Sequence, residues 1–285
     1  MLEWLIEPLR YTFMIRGLVA AILVGTVCAV VGTYVVLRGM AFLGDALAHA
    51  ILPGVAIAYL LGGGAQGPLF WGGLAAGIGT ALGIGAISRE GEIKEDTAIG
   101  ILFAGMFALG IALISSVRSY TVDLTHFLFG NVLGVTNQDL YLTAAFGGLV
   151  LLLVLAFYKE FLVISFDPIL AETLRLPDTF FHHLLLVMIA ITIVVSLQTV
   201  GIALMVAMLV TPAATAYMLT RRLPVMMALG ALIGSGSGIV GLYLSYYMNI
   251  ASGAAIVLTC TALFLLAFLF SPGRGLMWQW THHKL

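Results

Sequence analysis

The sequence predicts an all-α polytopic membrane protein with about nine transmembrane helices. Three observations carry that expectation. Hydrophobic residues make up 62% of 285 residues and charged ones 9%, against about 25% charged in an ordinary soluble domain. Mean hydropathy is +1.14. The apolar residues also fall into runs of bilayer length, roughly 17–25 residues each. The third observation is the placing of lysine and arginine between the runs.

The runs lie at about 12–37, 40–61, 68–87, 96–116, 138–158, 184–219, 224–247 and 251–270. The stretch 184–219 is too long for one simple span, and its polar knot SLQTVG (196–201) predicts two spans meeting there. If it crossed once, the count would be eight. With the split and the N-terminus outside, the inner side receives Arg38, Arg89, Lys94, Lys159, Arg175, Arg221, Arg222, Arg274 and Lys284, and the outer side Arg10, Arg16 and Arg118. Nine against three follows the positive-inside bias, so the C-terminus is expected in the cytoplasm. The first run is longer than a signal-peptide core and reads as a retained span. The whole chain, 1–285, is expected to be one transmembrane domain, with a cytoplasmic loop at 159–183 and a cytoplasmic tail at 271–285.

The composition also excludes functions. A net charge of −1 and the lack of a basic run give nucleic acid nothing to bind. Cys28 and Cys260 sit far apart inside apolar runs and read as core residues, not a disulfide or thiolate site. There is no GxxxxGK(S/T), HExxH or GxSxG sequence, so no ATP site, zinc-protease pair or serine elbow is expected. The 33 glycines include i, i+4 pairs such as Gly73/Gly77, Gly79/Gly83, Gly230/Gly234 and Gly234/Gly238. That spacing predicts close helix packing in lipid.

Against this apolar background Asp45 and His49 stand out, four residues apart on one helix face. Counting from Arg38 at 1.5 Å per residue, they lie about 10 Å and about 16 Å into the span. A charge at that depth costs roughly 2.5–3.5 kcal/mol, so the pair should face protein or water with a partner. It could be a self-satisfied hydrogen bond, a proton relay, or a transient site for a divalent first-row metal. Two ligands per chain are too few to grip an ion, and a two-fold axis beside the helix would double them. Pro53 and Gly54 loosen the helix above the pair.

Other polar residues are weaker candidates. Asp123 and His126, spaced i, i+3 in an outer loop, could receive metal or simply be solvated. The pairs His182/His183 and His282/His283 read as interface and tail residues, and Met205/Met208 as core. In the 159–183 loop, Asp167 suits an N-cap and Pro168 the first helical position, while Pro177 ends the segment. The expected helix of about two turns needs something to dock on, its own spans or a partner.

In order, the segments FLGDALAHAILPGVAIAYLLG, EDTAIGILFAGMFALG, FLFGNVLGVTNQDL, ISFDPILAETLRLP, VGIALMVAMLVTPAATAYMLTRRLP and LYLSYYMNIASGAAIVL resemble the permease subunits of zinc/manganese/iron ABC importers, from about residue 10 to 270. The resemblance implies a homodimeric, type II importer-like fold in a bacterial plasma membrane. Implied partners are a second copy, two cytoplasmic ABC ATPase subunits and an extracytoplasmic metal-binding protein. It implies a chain without enzymatic activity of its own, with ATP bound only by the ATPase and no permanent cofactor, only transported Mn²⁺, Zn²⁺ or Fe²⁺. Carried onto this sequence, Gly44, Asp45 and His49 become the pathway motif, and Asp123/His126 a pair beside the outer gate. Asp167, Pro168, Ala171, Glu172 and Arg175 fall in the ATPase-coupling helix. The sequence departs at Arg175, where members often carry glycine. The run HAILPG is most like manganese-uptake members. The rival expectations are an ion-gradient-driven metal carrier and an ABC permease for another cargo.

Overall fold

The computed structural model describes residues 6–62, 66–90, 93–115, 132–166, 168–271 and Gly275. Among these residues twelve α-helices follow one another: α1 (Thr12–Leu37), α2 (Leu43–Ala50), α3 (Leu52–Gly62), α4 (Gln66–Glu90), α5 (Glu95–Ser115), α6 (Asn137–Ala156), α7 (Tyr158–Phe166), α8 (Pro168–Thr173), α9 (Asp178–Val200), α10 (Ile202–Leu219), α11 (Leu223–Met248) and α12 (Ser252–Phe270). Taking α2 and α3 as one span, nine segments among the described residues are long and apolar enough to cross a membrane. No strand occurs among them, as the sequence predicts.

The 184–219 stretch does divide. Gly201, at φ 84°, separates α9 from α10. A side chain there would be strained, because β-carbon sterics disfavour that region. The polar knot before it ties helices together. Gln198 Nε2 donates to Asp139 Oδ1 at 3.0 Å, the Thr143 and Thr199 hydroxyls lie 2.7 Å apart, and Cys28 Sγ donates to Ser196 Oγ at 3.3 Å. Cys28 and Cys260 are free and buried, and Met205 and Met208 are core residues.

Helix α1 is the hub of the bundle, packed against α6, α9, α10 and α11. Its tightest seam is with α11. A β-carbon at Gly25 would lie 2.8 Å from the Gly234 carbonyl carbon, and one at Gly234 would lie 2.6 Å from the Gly25 oxygen. Ala29 meets Gly230 and Ala21 meets Gly238, so small residues four apart on both helices form the contact. The expected packing role holds for that stripe, whereas Gly79 faces open space.

The 159–183 loop holds more helix than the sequence predicts. α7 precedes the expected short helix, and α9 starts at Asp178, six residues before the expected span at 184. Aromatic packing accounts for it: Phe161 and Phe181 are buried, their rings 6.0 Å apart, and Tyr34 lies 5.7 Å from Phe161. α8 begins at Pro168, as predicted. It ends with Arg175 at φ 52° and the Leu176 N–H donating to the Ala171 carbonyl at 3.0 Å. That is a Schellman ending, in which the left-handed position favours glycine.

Candidate metal site

On α2, Leu43, Gly44, Ala46, Leu47, Ala48 and Ala50 are buried, which leaves Asp45 and His49 on the one remaining face. Gly44 is packed, since a β-carbon there would come within 2.9 Å of the Leu209 side chain. Asp45 stands in the first turn, where a helix N-terminus favours negative charge. The His49 and Asp45 side chains are 27% and 39% exposed in the single chain. The pair therefore lies half-open on the surface of the subunit, because α2 packs its other sides on α5, α9 and α10.

The hydrogen bonding of His49 fixes its chemistry. Its Nδ1 lies 2.9 Å from the Asp45 main-chain oxygen. A carbonyl only accepts, so Nδ1 carries the proton and Nε2 keeps the lone pair. The Asp45 carboxylate is 3.6 Å from Nδ1, too far for a good hydrogen bond. The self-satisfied carboxylate–imidazole bond is thus not what forms; the main chain takes that proton, and the carboxylate stays available. A metal-binding histidine is typically held this way, with its other N–H on a carbonyl or carboxylate.

Behind the imidazole stands an aromatic wall. Phe103 and Phe107 of α5 stack on each other at 5.7 Å and meet the His49 ring edge-on at 6.0 and 5.6 Å. Gly110 of the same helix abuts Leu52 and Pro53, where a β-carbon would sit 2.6 Å from Leu52 Cβ. Pro53 has no N–H, so the His49 carbonyl lacks its usual helical donor four residues on. The arrangement offers one imidazole nitrogen and one carboxylate to a cation. Among the described residues no cluster of three or more His, Cys, Asp or Glu side chains could hold a metal.

The remaining sequence candidates divide. Asp123, His126 and Asp167 lie outside the described residues. Ala171 is a buried residue of α8, and Arg175 forms the end of that helix. His183, half-exposed, lies with Nδ1 2.7 Å from the Thr179 oxygen, so that nitrogen donates.

His182 departs from the sequence reading. It is 6% exposed, not an interface residue. Arg38 Nη1 donates to its Nδ1 at 3.0 Å, and its Nε2 faces Glu95 Oε1 at 3.5 Å. Beside it Arg89 binds Asp178 at 2.5 Å. These residues, with Ser165 and Ala171, line a cavity of about 330 Å³. Burial lowers the pKa of Arg38, and attraction to Glu95 works the other way. The only sequence signal for this cluster was a set of charged residues at span ends, which gives no pairing.

Nine membrane-length segments among the described residues, with a half-open acid/imidazole pair on one face, mark a polytopic membrane protein. The chain belongs to the ABC 3 transport family, whose model matches residues 10–271. It is 49% identical to the manganese transport system membrane protein MntC of Halalkalibacterium halodurans, over 98% of this chain and 94% of that one. A probable iron transport system membrane protein of Haemophilus influenzae is 40% identical, over 96% and 99%. The solved structure of PsaBC from Streptococcus pneumoniae in complex with Fab matches at a TM-score of 0.83, with 39% identity and 99% of both chains covered.

Proposed function

We propose that this chain is the membrane-spanning permease of an ATP-driven importer, carrying a divalent transition metal into a bacterial cell. Manganese is the foremost cargo, supported by the similarity to MntC; the iron-type relative keeps Fe²⁺ in view. The single transmembrane domain works as a homodimer in the plasma membrane, N-terminus outside. ATP is hydrolysed by two separate cytoplasmic subunits docked on the coupling helix, residues 167–175. An extracytoplasmic metal-binding protein delivers the ion toward Asp123 and His126.

One observation carries the site: with Nδ1 held on the Asp45 carbonyl, His49 turns Nε2 outward beside the Asp45 carboxylate on a half-open face. A second copy across a two-fold axis supplies the same pair, making two oxygens and two nitrogens. The ion rests there and moves on when the ATPases close. A gradient-driven carrier would need no ATPase-docking helix, and α8 favours the ATP-driven reading.

The test is uptake of radioactive Mn²⁺ by vesicles holding the permease with its ATPase and binding protein. Asp45→Ala and His49→Ala should each abolish uptake while the protein still inserts and binds its ATPase. Wild-type rates in both variants would overturn the site. Uptake driven by an ion gradient, without ATP, would overturn the mechanism.

A further inference from the structure

Three spans meet at His182. Arg38 caps the C-terminal end of α1, His182 sits in the second turn of α9, and Glu95 is the first residue of α5. An arginine side chain has donors only, so His182 Nδ1 must accept. In the neutral ring the proton then sits on Nε2, which points toward Glu95 Oε1 at 3.5 Å. The chain has a direction, from guanidinium to imidazole to carboxylate. It is not a metal site, because the nitrogen facing Glu95 bears a proton.

Its place in the fold gives it a role. The cavity it lines is also lined by Ala171 of α8. The same cavity holds the roots of the metal face. Glu95 begins α5, whose Phe103 and Phe107 pack on His49 two to three turns further along. Arg38 ends α1 just before the turn into α2, which carries Asp45 and His49. The helix that carries the aromatic wall, α5, and the end of α1 that leads into α2 are therefore tied to α9 through one imidazole. The tie is also incomplete. His182 Nε2 and Glu95 Oε1 face each other at 3.5 Å without forming a hydrogen bond, and they and Ser165 Oγ have no hydrogen-bond partner among the described residues. Ala171 of α8 lines the same cavity as all three side chains, so a shift of α8 changes the space in which they pack.

We infer that His182 is a positioning residue for transport: the Arg38–His182–Glu95 chain transmits movement of α8 to α5 and α2, and so to the geometry around His49. The inference rests on the proposed permease function and adds the route of coupling within it.

The experiment uses the full complex in proteoliposomes and measures both Mn²⁺ uptake and ATP hydrolysis. His182→Leu removes both contacts. Uptake per ATP should fall on the order of tenfold, the worth of one hydrogen bond to a charged group, while hydrolysis stays near wild type. His182→Gln can accept from Arg38 and donate to Glu95, and should restore most of the ratio. Glu95→Ala should repeat the leucine result and serves if His182→Leu does not assemble. An unchanged ratio in His182→Leu, or a proportional fall of uptake and hydrolysis, overturns the inference. So does a glutamine variant as poor as leucine. If the wild-type complex carries no Mn²⁺ at all, it is the proposed function that fails.

Discussion

The seam between α1 and α11 gives a stability prediction that can be worked from distances. In Gly234→Ala the new carbon would meet the Gly25 oxygen at 2.6 Å and the Gly25 carbonyl carbon at 3.2 Å. Ordinary contact begins at 3.4 Å, so the shortfall is 0.8 Å (3.4 − 2.6) against backbone that no rotamer change can move. The helices must part, and a gap of that order forfeits a quarter to a half of the dispersion attraction along the seam. Overpacking of this kind costs about 1–3 kcal/mol, set against about 1 kcal/mol gained in helix propensity. Gly236→Ala on the same helix meets nothing within 4 Å and receives the propensity gain alone. The two variants should therefore differ by the overpacking cost. At about 2 °C per kcal/mol for a chain of this size, that is a gap of several degrees in melting midpoint, read by fluorescence-detected gel filtration of detergent-solubilised protein. The double variant Gly25→Ala/Gly234→Ala should cost less than the sum, since helices already parted for one carbon admit the other. Uptake per folded molecule should not change, as the seam is remote from α2 and α5. The reasoning fails if Gly234→Ala melts with or above Gly236→Ala.

Two local changes follow from backbone geometry. Arg175→Gly relieves a left-handed residue at φ 52° and should stabilise the end of α8 by about 1 kcal/mol, seen as slower proteolysis of the 159–183 loop with uptake retained. Thr136→Ala removes the capping box of α6, in which Thr136 accepts from the Asp139 N–H at 3.2 Å and Asp139 accepts from the Thr136 N–H at 3.0 Å. It should cost about 1 kcal/mol, a drop of about 2 °C in the same melting assay.

The spans were legible because lipid admits only helices and closed barrels, and continuous apolar runs of bilayer length are the mark of helices. The division at 196–201 was legible too: a polar knot inside an apolar run needs partners, and Gln198 and Thr199 find Asp139 and Thr143. Other features depend on which elements touch, and a single sequence does not say. Asp45 and His49 were expected to face protein or water; which of the two depends on packing, and they are half-open because α2 turns its buried residues to α4, α5, α9 and α10. His182 resembled the neighbouring His183 in sequence. They part only because one faces Arg38, 144 residues away, and the other turns back to its own helix. Arg175 was noticed as a departure from a glycine pattern, and its positive φ supplies the reason.

On the proposed reading, the incompleteness of the Asp45/His49 pair is an asset. Conduction needs a site attractive enough to enter and loose enough to leave, and a closed cage of four ligands on one chain would hold its ion. The same pair cannot choose the cargo. Mixed oxygen and nitrogen donors follow the Irving–Williams order, in which Zn²⁺ binds more tightly than Mn²⁺ or Fe²⁺. Neither Phe103 nor Phe107 offers a donor that would reverse it. If manganese is carried in the presence of zinc, discrimination must occur before the ion reaches His49, in the protein that delivers it. Vesicles given free metal in place of the loaded delivery protein should then lose their preference for Mn²⁺.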